Sequence, residues 1–182
     1  MKQLPFIIAS LWCLSAVADE VIPPAPVQYF NDYAHVVSST NADLLNTLLE
    51  NYERESSDQI LVAIYPKMQS DADERDYTQR IANSWKVGQK GKNNGVVLFL
   101  FLKDHKLDIQ VGKGFEKVLS DEKCKQILDT KIIPRLKQKD FDGGMSAGVT
   151  AIIAATKGAY QGNGETTAET RSANTNAVNQ IQ

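Results

Sequence analysis

The sequence predicts a three-layer α/β/α sandwich around a small mixed β-sheet. Three observations carry that prediction. Two short apolar runs, Ile60–Tyr65 and Gly95–Leu102, have the length and character of strands buried on both faces. A helical period lies between them, so they read as parallel strands joined by a right-handed crossover. A third run, Leu107–Val111, alternates apolar with polar residues, as a half-exposed strand does.

Each element follows in order. Ser38-Ser39-Thr40 offers an N-cap to a first helix, on which Leu44, Leu45, Leu48, Leu49 and Tyr52 recur at helical spacing. The strand Ile60–Tyr65 ends at Pro66. Asp73 to Val87 reads as a second helix with Tyr77, Ile81 and Trp85 on one face. Gly95–Leu102 is the second central strand. Lys103–Lys106 turns the chain, and Leu107–Val111 pairs antiparallel at an edge. Ser120 caps a third helix carrying Cys124, Ile127, Leu128 and Ile132, closed near Pro134. Asp140 caps a fourth, with Met145, Val149, Ile152 and Ile153 on its apolar face. The resulting layering is Rossmann-like.

A length of 182 residues suits one domain with tails. Met1-Lys2-Gln3, the apolar run Leu4–Leu14 and the small residues Ala16 and Ala18 have the order of a secretory signal peptide, residues 1–18. The apolar run is shorter than the ~20 residues of a membrane span, and no later run reaches that length. The expectation is an exported chain, periplasmic or secreted, with no transmembrane anchor after cleavage. Removing residues 1–18 takes Lys2 and Cys13 and leaves 19 basic against 22 acidic residues, a net charge of −3. Without a basic excess to neutralise phosphates, nucleic acid is not an expected partner. One cysteine, Cys124, cannot close an intramolecular disulfide. Residues 19–26 form a Pro-rich lead-in. Residues 161–182 are polar, without an aromatic residue, and read as a disordered tail. The folded unit is then residues 27–160.

Familiar catalytic templates fail. Cys124 lacks an arginine six residues on, and Asp71-Ala72-Asp73 follows Gln69-Ser70 rather than a strand end. The loop Gly88–Gly95 lacks the Gly-Lys-Ser/Thr ending of a P-loop. Gly112-Lys113-Gly114 lacks the third glycine of a dinucleotide fingerprint. His35 and His105 have no Glu-x-x-His context, and Asp140-Phe141-Asp142-Gly143 reads as a helix cap.

Connectivity makes a geometric claim about function. If the hairpin folds the last strand back, the loop Gly88–Gly95 faces the loop Gly112–Glu116, with Asp121 close behind. That gathers Lys90, Lys92, Asn93, Asn94, Lys113, Glu116 and Asp121 at one end of the sheet. Glycines there admit a close ligand, and amide and carboxylate oxygens suit Ca²⁺. The same residues also read as tight-loop chemistry, with solvated lysines and an acidic first turn at Asp121.

The stretches Asn31-Asp32-Tyr33-Ala34-His35-Val36-Val37-Ser38, Trp85-Lys86-Val87-Gly88, Lys92-Asn93-Asn94-Gly95-Val96-Val97-Leu98, Val111-Gly112-Lys113-Gly114-Phe115-Glu116, Leu119-Ser120-Asp121, Ile133-Pro134 and Asp140-Phe141-Asp142-Gly143-Gly144 resemble, in order and spacing, the TPM domain family. That family spans a thylakoid-lumen protein, an animal accessory protein of acetylcholine receptors and many bacterial exported proteins. The resemblance implies a lumenal or exported α/β/α domain, divalent-metal binding, and acid phosphatase activity in the plant branch. By position it implies Asp32, Asn94, Glu116 and Asp121 as metal ligands, with Ca²⁺ the candidate ion. Lys92, Asn93, Gly112, Lys113 and Gly114 are the ligand-binding candidates. Two functions follow from it. One is a cell-envelope accessory module acting on a membrane-protein complex. The other is a metal-dependent acid phosphatase, with Asp32 and Asp121 as ligands, Glu116 as ligand or base, and Lys92 or Lys113 as phosphate clamp. The chain departs from the bacterial pattern in lacking an arginine at Asp104–Leu107 and in placing Lys113 where an aromatic residue is common.

Overall fold

A computed structural model describes residues 20–170 and 172–173; residues 1–18, expected to be a signal peptide, lie outside the described residues. Its elements run β1 (Phe30–Asp32), α1 (Ser39–Ser56), β2 (Gln59–Tyr65), α2 (Glu74–Trp85), β3 (Gly95–Phe101) and β4 (Lys106–Val111). A 3-10 turn (Lys113–Phe115) then leads to α3 (Asp121–Ile127), a π turn (Leu128–Ile132), α4 (Ile133–Leu136) and α5 (Phe141–Thr156). The sheet order is β1-β2-β3-β4. The first three strands are parallel and β4 is antiparallel, with Gln59 level with Gly95 and Val96 level with Val111.

Strand alternation builds both layers. Ile60, Val62, Ile64, Val96, Leu98, Leu100 and Ile109 share one core with Leu45 and Leu49 of α1, Cys124 of α3 and Met145, Val149 and Ile152 of α5. Leu61, Ala63, Val97, Phe99 and Phe101 face the other way, onto Tyr77, Ile81 and Trp85 of α2. Each fully buried large apolar side chain contributes about 1.5–3 kcal/mol. The expected caps form: Ser38, Asp73, Ser120 and Asp140 accept backbone N–H groups of Asn41, Arg75, Lys123 and Gly143.

Four details differ from the sequence expectation. First, β1 precedes α1; three residues are too few to show a period, and the strand is defined by pairing with Val62–Ile64. Its edge is closed by Asn46, whose Oδ1 accepts from the Tyr29 N–H at 2.8 Å. Second, Leu44 and Leu48 lie outside the core, 64% and 42% exposed. Third, the helix begun at Asp121 runs past Pro134. A π turn widens the backbone just before it, with the Ile133 N–H bonded to Leu128 O, and Pro134, which has no N–H to continue that ladder, falls in the first turn of α4.

The fourth difference concerns the ends. Among the described helices α2 alone packs on the Leu61–Phe101 face of the sheet, and the lead-in adds to that layer. In the lead-in, the Val21 and Pro23 carbonyls accept from the Tyr77 hydroxyl (2.6 Å) and the Trp85 indole N–H (2.8 Å). The polar segment from Gln161, expected to be disordered, docks on the C-terminal end of α1 as far as Thr170. The Gly162 N–H donates to Glu55 O at 2.8 Å, and Thr166 and Thr167 are buried. Thr166 and Glu169 form a reciprocal capping box, each backbone N–H donating to the other's side chain, at 2.8 and 3.2 Å. The disorder expectation counted apolar burial alone, whereas this segment is held by hydrogen bonds and an ion pair. Residues 174–182 lie outside the described residues.

Cys124 is 4% exposed. Burial, with the nearby Asp121 and Asp108 charges, pushes its thiol up to about 12. Folded protein lacking residues 1–18 should therefore resist an aromatic disulfide reagent at neutral pH and release one equivalent of thiol colour only on denaturation. No helix among the described residues is long and apolar enough to cross a membrane.

Candidate functional site

The hairpin brings the two glycine-bearing loops together as its connectivity implies. The Gly112 N–H donates to Gly95 O at 2.8 Å, and the Gly114 N–H to Asn93 O at 3.0 Å. The contact is close enough to require glycine: a Cβ at Gly112 would stand 2.2 Å from Asn93 O. Beside this junction opens a cleft of about 1040 Å³. Gln79 and Asn83 of α2 and Lys86, which caps it, form one side, Gln89, Lys90 and Asn93 the loop side, and Gln110, Gly112, Lys113 and Glu116 the hairpin side. Asn163, Thr167 and Thr170 of the C-terminal segment close it. Three lysines against one glutamate make the lining positive, although the chain as a whole is acidic.

The expected site residues divide between this cleft and other places. Asn93, Gly112, Lys113 and Glu116 line it, and Gly114 holds the loop junction. Lys92 turns away, donating to Ser57 Oγ at 2.9 Å and lying 5.8 Å from the Tyr160 ring. Asn94 is fully buried; its amide donates to Ser57 O (2.7 Å) and Asp58 Oδ1 (3.1 Å), and its oxygen accepts from the Gln89 N–H (2.9 Å). Asp32 stands at the opposite end of the sheet, level with Ile64 and so with Leu100. At the strand rise this is about 16 Å from Gly95. Its carboxylate accepts the N–H groups of Ala34, Val36 and Val37 at 3.0, 2.7 and 2.8 Å. Asp121 pairs with Arg75 at 2.6 Å. Since α2 and α3 pack on opposite faces, that pair closes round the free edge of β4.

Asp32, Asn94, Glu116 and Asp121 therefore do not converge on one centre, and the donor oxygens of Asp32 and Asn94 are already engaged by backbone N–H groups. These four residues do not fit a shared calcium ion. Among the described residues there is no group of three or more His, Cys, Asp or Glu placed to hold a metal.

Asp58, which sequence reasoning missed, anchors the loop from beneath. It is 0% exposed and accepts from Asn94 and from the Tyr52 hydroxyl, which in turn lies 2.9 Å from Thr156 Oγ1. Its position just before the apolar run Ile60–Tyr65 was the available signal. Burial pushes the carboxyl up, opposed by hydrogen bonds from Asn94, Tyr52 and Ser56 and by the Lys92 charge. A raised folded value means stability that is full below the unfolded value, about 3.9, and lost as pH rises through the folded one. Asp58→Asn removes that loss and keeps the Asn94 bond, while Tyr52 accepts from the new amide and donates to Thr156. In urea denaturation the variant should match the wild type in acid and equal or exceed it at pH 7. Asp58→Ala should cost about 1–3 kcal/mol.

Comparison with known proteins agrees with this architecture. The TPM domain family profile matches residues 30–155. Among curated proteins, none matches the chain. The solution structure of the N-terminal domain of a protein from P. gingivalis is 28% identical over 73% of this chain and 84% of its own, with a TM-score of 0.65. The BA42 protein of the psychrophilic bacterium Bizionia argentinensis is 20% identical over 71% of this chain and 88% of its own, with a TM-score of 0.60. The N-terminal domain of cg2496 from Corynebacterium glutamicum shares the fold at 16% identity over 75% of this chain and 84% of its own, with a TM-score of 0.56. With the matched span running from the first residue of β1 almost to the end of α5, the chain belongs to the TPM domain family.

Proposed function

We propose that this chain is an exported binding module of the cell envelope, an accessory factor for a membrane-protein assembly, that engages its partner through the cleft beside the Gly95–Gly112 junction. The carrying observation is the lining: side-chain amides of Gln79, Asn83, Gln89 and Asn93 interleaved with Lys86, Lys90 and Lys113. Amides match peptide groups, and lysines match acidic side chains, steering the approach of an acidic surface. Export rests on residues 1–18. The test is capture from envelope extract by the mature protein, with and without chelator. Lys113→Glu should lose most of the captured partner and Lys125→Glu, outside the cleft, should retain it; capture equal in both would contradict the reading.

A second reading, metal-dependent acid phosphatase, is favoured by one observation: Lys113 and Glu116 share the cleft, as a phosphate clamp and a carboxylate base would. It predicts hydrolysis of a chromogenic phosphate ester, stimulated by a divalent ion and lost in Glu116→Gln. No turnover by folded protein from acid to neutral pH removes it.

A further inference from the structure

One wall of the cleft is built differently from the rest. Asn163, Thr167 and Thr170 belong to residues 161–170, which hold to α1 mainly through polar contacts. The N–H groups of Gly162 and Gly164 donate to Glu55 O (2.8 Å) and Arg54 O (3.2 Å). Arg54 grips Glu169 with both guanidinium nitrogens, at 2.9 and 2.8 Å, and reaches Gly164 O at 3.3 Å. The Arg54 and Glu169 side chains are 35% and 48% exposed, so the pair is weak and screened by salt. Beneath them Glu53, 0% exposed, accepts from the Thr167 N–H at 2.9 Å, from the Thr167 hydroxyl and from the Tyr29 hydroxyl at 2.5 Å. Those donors are neutral, and two of the three come from the strap, so release exchanges them for water at a small net cost. Segments held in this way open far below the free energy of global unfolding.

We propose that residues 161–170 are a salt-releasable strap that gates the cleft: docked, the strap closes one side, and released, it leaves that side open to a ligand. The proposal deepens the cleft reading, but strap release is measurable without any ligand.

Gly162 supplies the handle. A Cβ there would stand 2.1 Å from Arg54 O and 2.6 Å from Glu55 C, so Gly162→Val forces the strap off, and Arg54→Ala removes its grip. Two measurements on the full mature chain decide the matter. The first is amide hydrogen exchange as salt rises from about 0.1 M to about 1 M, shortening the screening length from about 10 Å to about 3 Å. The amides of Gly162, Gly164 and Thr167 should exchange about 2- to 5-fold faster at high salt, the range open to one exposed ion pair, and at least ~10-fold faster in both variants. Those of Val62 and Leu98 should not change. Strap amides as protected as the core at both salts would overturn the proposal. The second measurement reads access: Gln89→Cys, in the cleft, is modified with an uncharged thiol reagent, the buried Cys124 staying silent. Adding Gly162→Val should speed modification several-fold. An unchanged rate with the strap amides released overturns the gating. Equal capture by Lys113→Glu and Lys125→Glu, by contrast, defeats only the reading of what the cleft binds.

Discussion

Gly112→Val should lower stability by about 3–5 kcal/mol in urea denaturation and part the two loops that frame the cleft. The added Cβ would meet Asn93 O at 2.2 Å, Asn93 C at 3.0 Å and Gly95 O at 3.1 Å. All three are backbone atoms, so no side chain can swing aside. Relief requires the loops to separate, which strains or breaks the bonds from the Gly112 N–H to Gly95 O and from the Gly114 N–H to Asn93 O. Overpacking alone costs about 1–3 kcal/mol, and each lost bond adds about 1 kcal/mol. A variant within about 0.5 kcal/mol of wild type would show that the loops do not meet.

Phe115→Ala should cost about 3–5 kcal/mol, the range for deleting a buried phenylalanine side chain. The ring is 0% exposed and packs edge-on against Tyr160, with centroids 5.6 Å apart. Tyr160 in turn donates its hydroxyl to Gly114 O (3.2 Å) and lies 3.4 Å from Lys92 O, one carbonyl from each loop. Losing Phe115 therefore frees the tyrosine that spans the junction as well as opening a cavity. Phe115→Leu retains most of the volume and should recover more than half of the loss. Thermal or urea melts of the two variants side by side check both statements.

The central strands and helix starts were legible in the sequence because their signals are local. β2 and β3 are apolar runs, bounded by Pro66 at the end of one and Gly95 at the start of the other, and the caps at Ser38, Asp73, Ser120 and Asp140 lie beside the helices they begin. What escaped depends on distant partners. β1 exists through β2, and the segment from Gln161 docks through Glu53 and Arg54, more than a hundred residues earlier. The site follows the same division. That the Gly88–Gly95 and Gly112–Glu116 loops meet follows from a hairpin, a matter of connectivity. Where Asn94, Lys92 and Asp121 direct their polar atoms depends on Ser57, Asp58 and Arg75, which no local spacing places beside them. Asp32 fails as a shared ligand for a local reason, since its oxygens close the turn that follows it.

The most direct test of the account is site-specific photo-crosslinking in the intact envelope. A benzophenone side chain at Gln89 reports on the cleft, and one at His35 reports on the opposite end of the sheet. The account predicts a discrete partner adduct from position 89 and none from position 35. An adduct from position 35 with none from position 89 would contradict it.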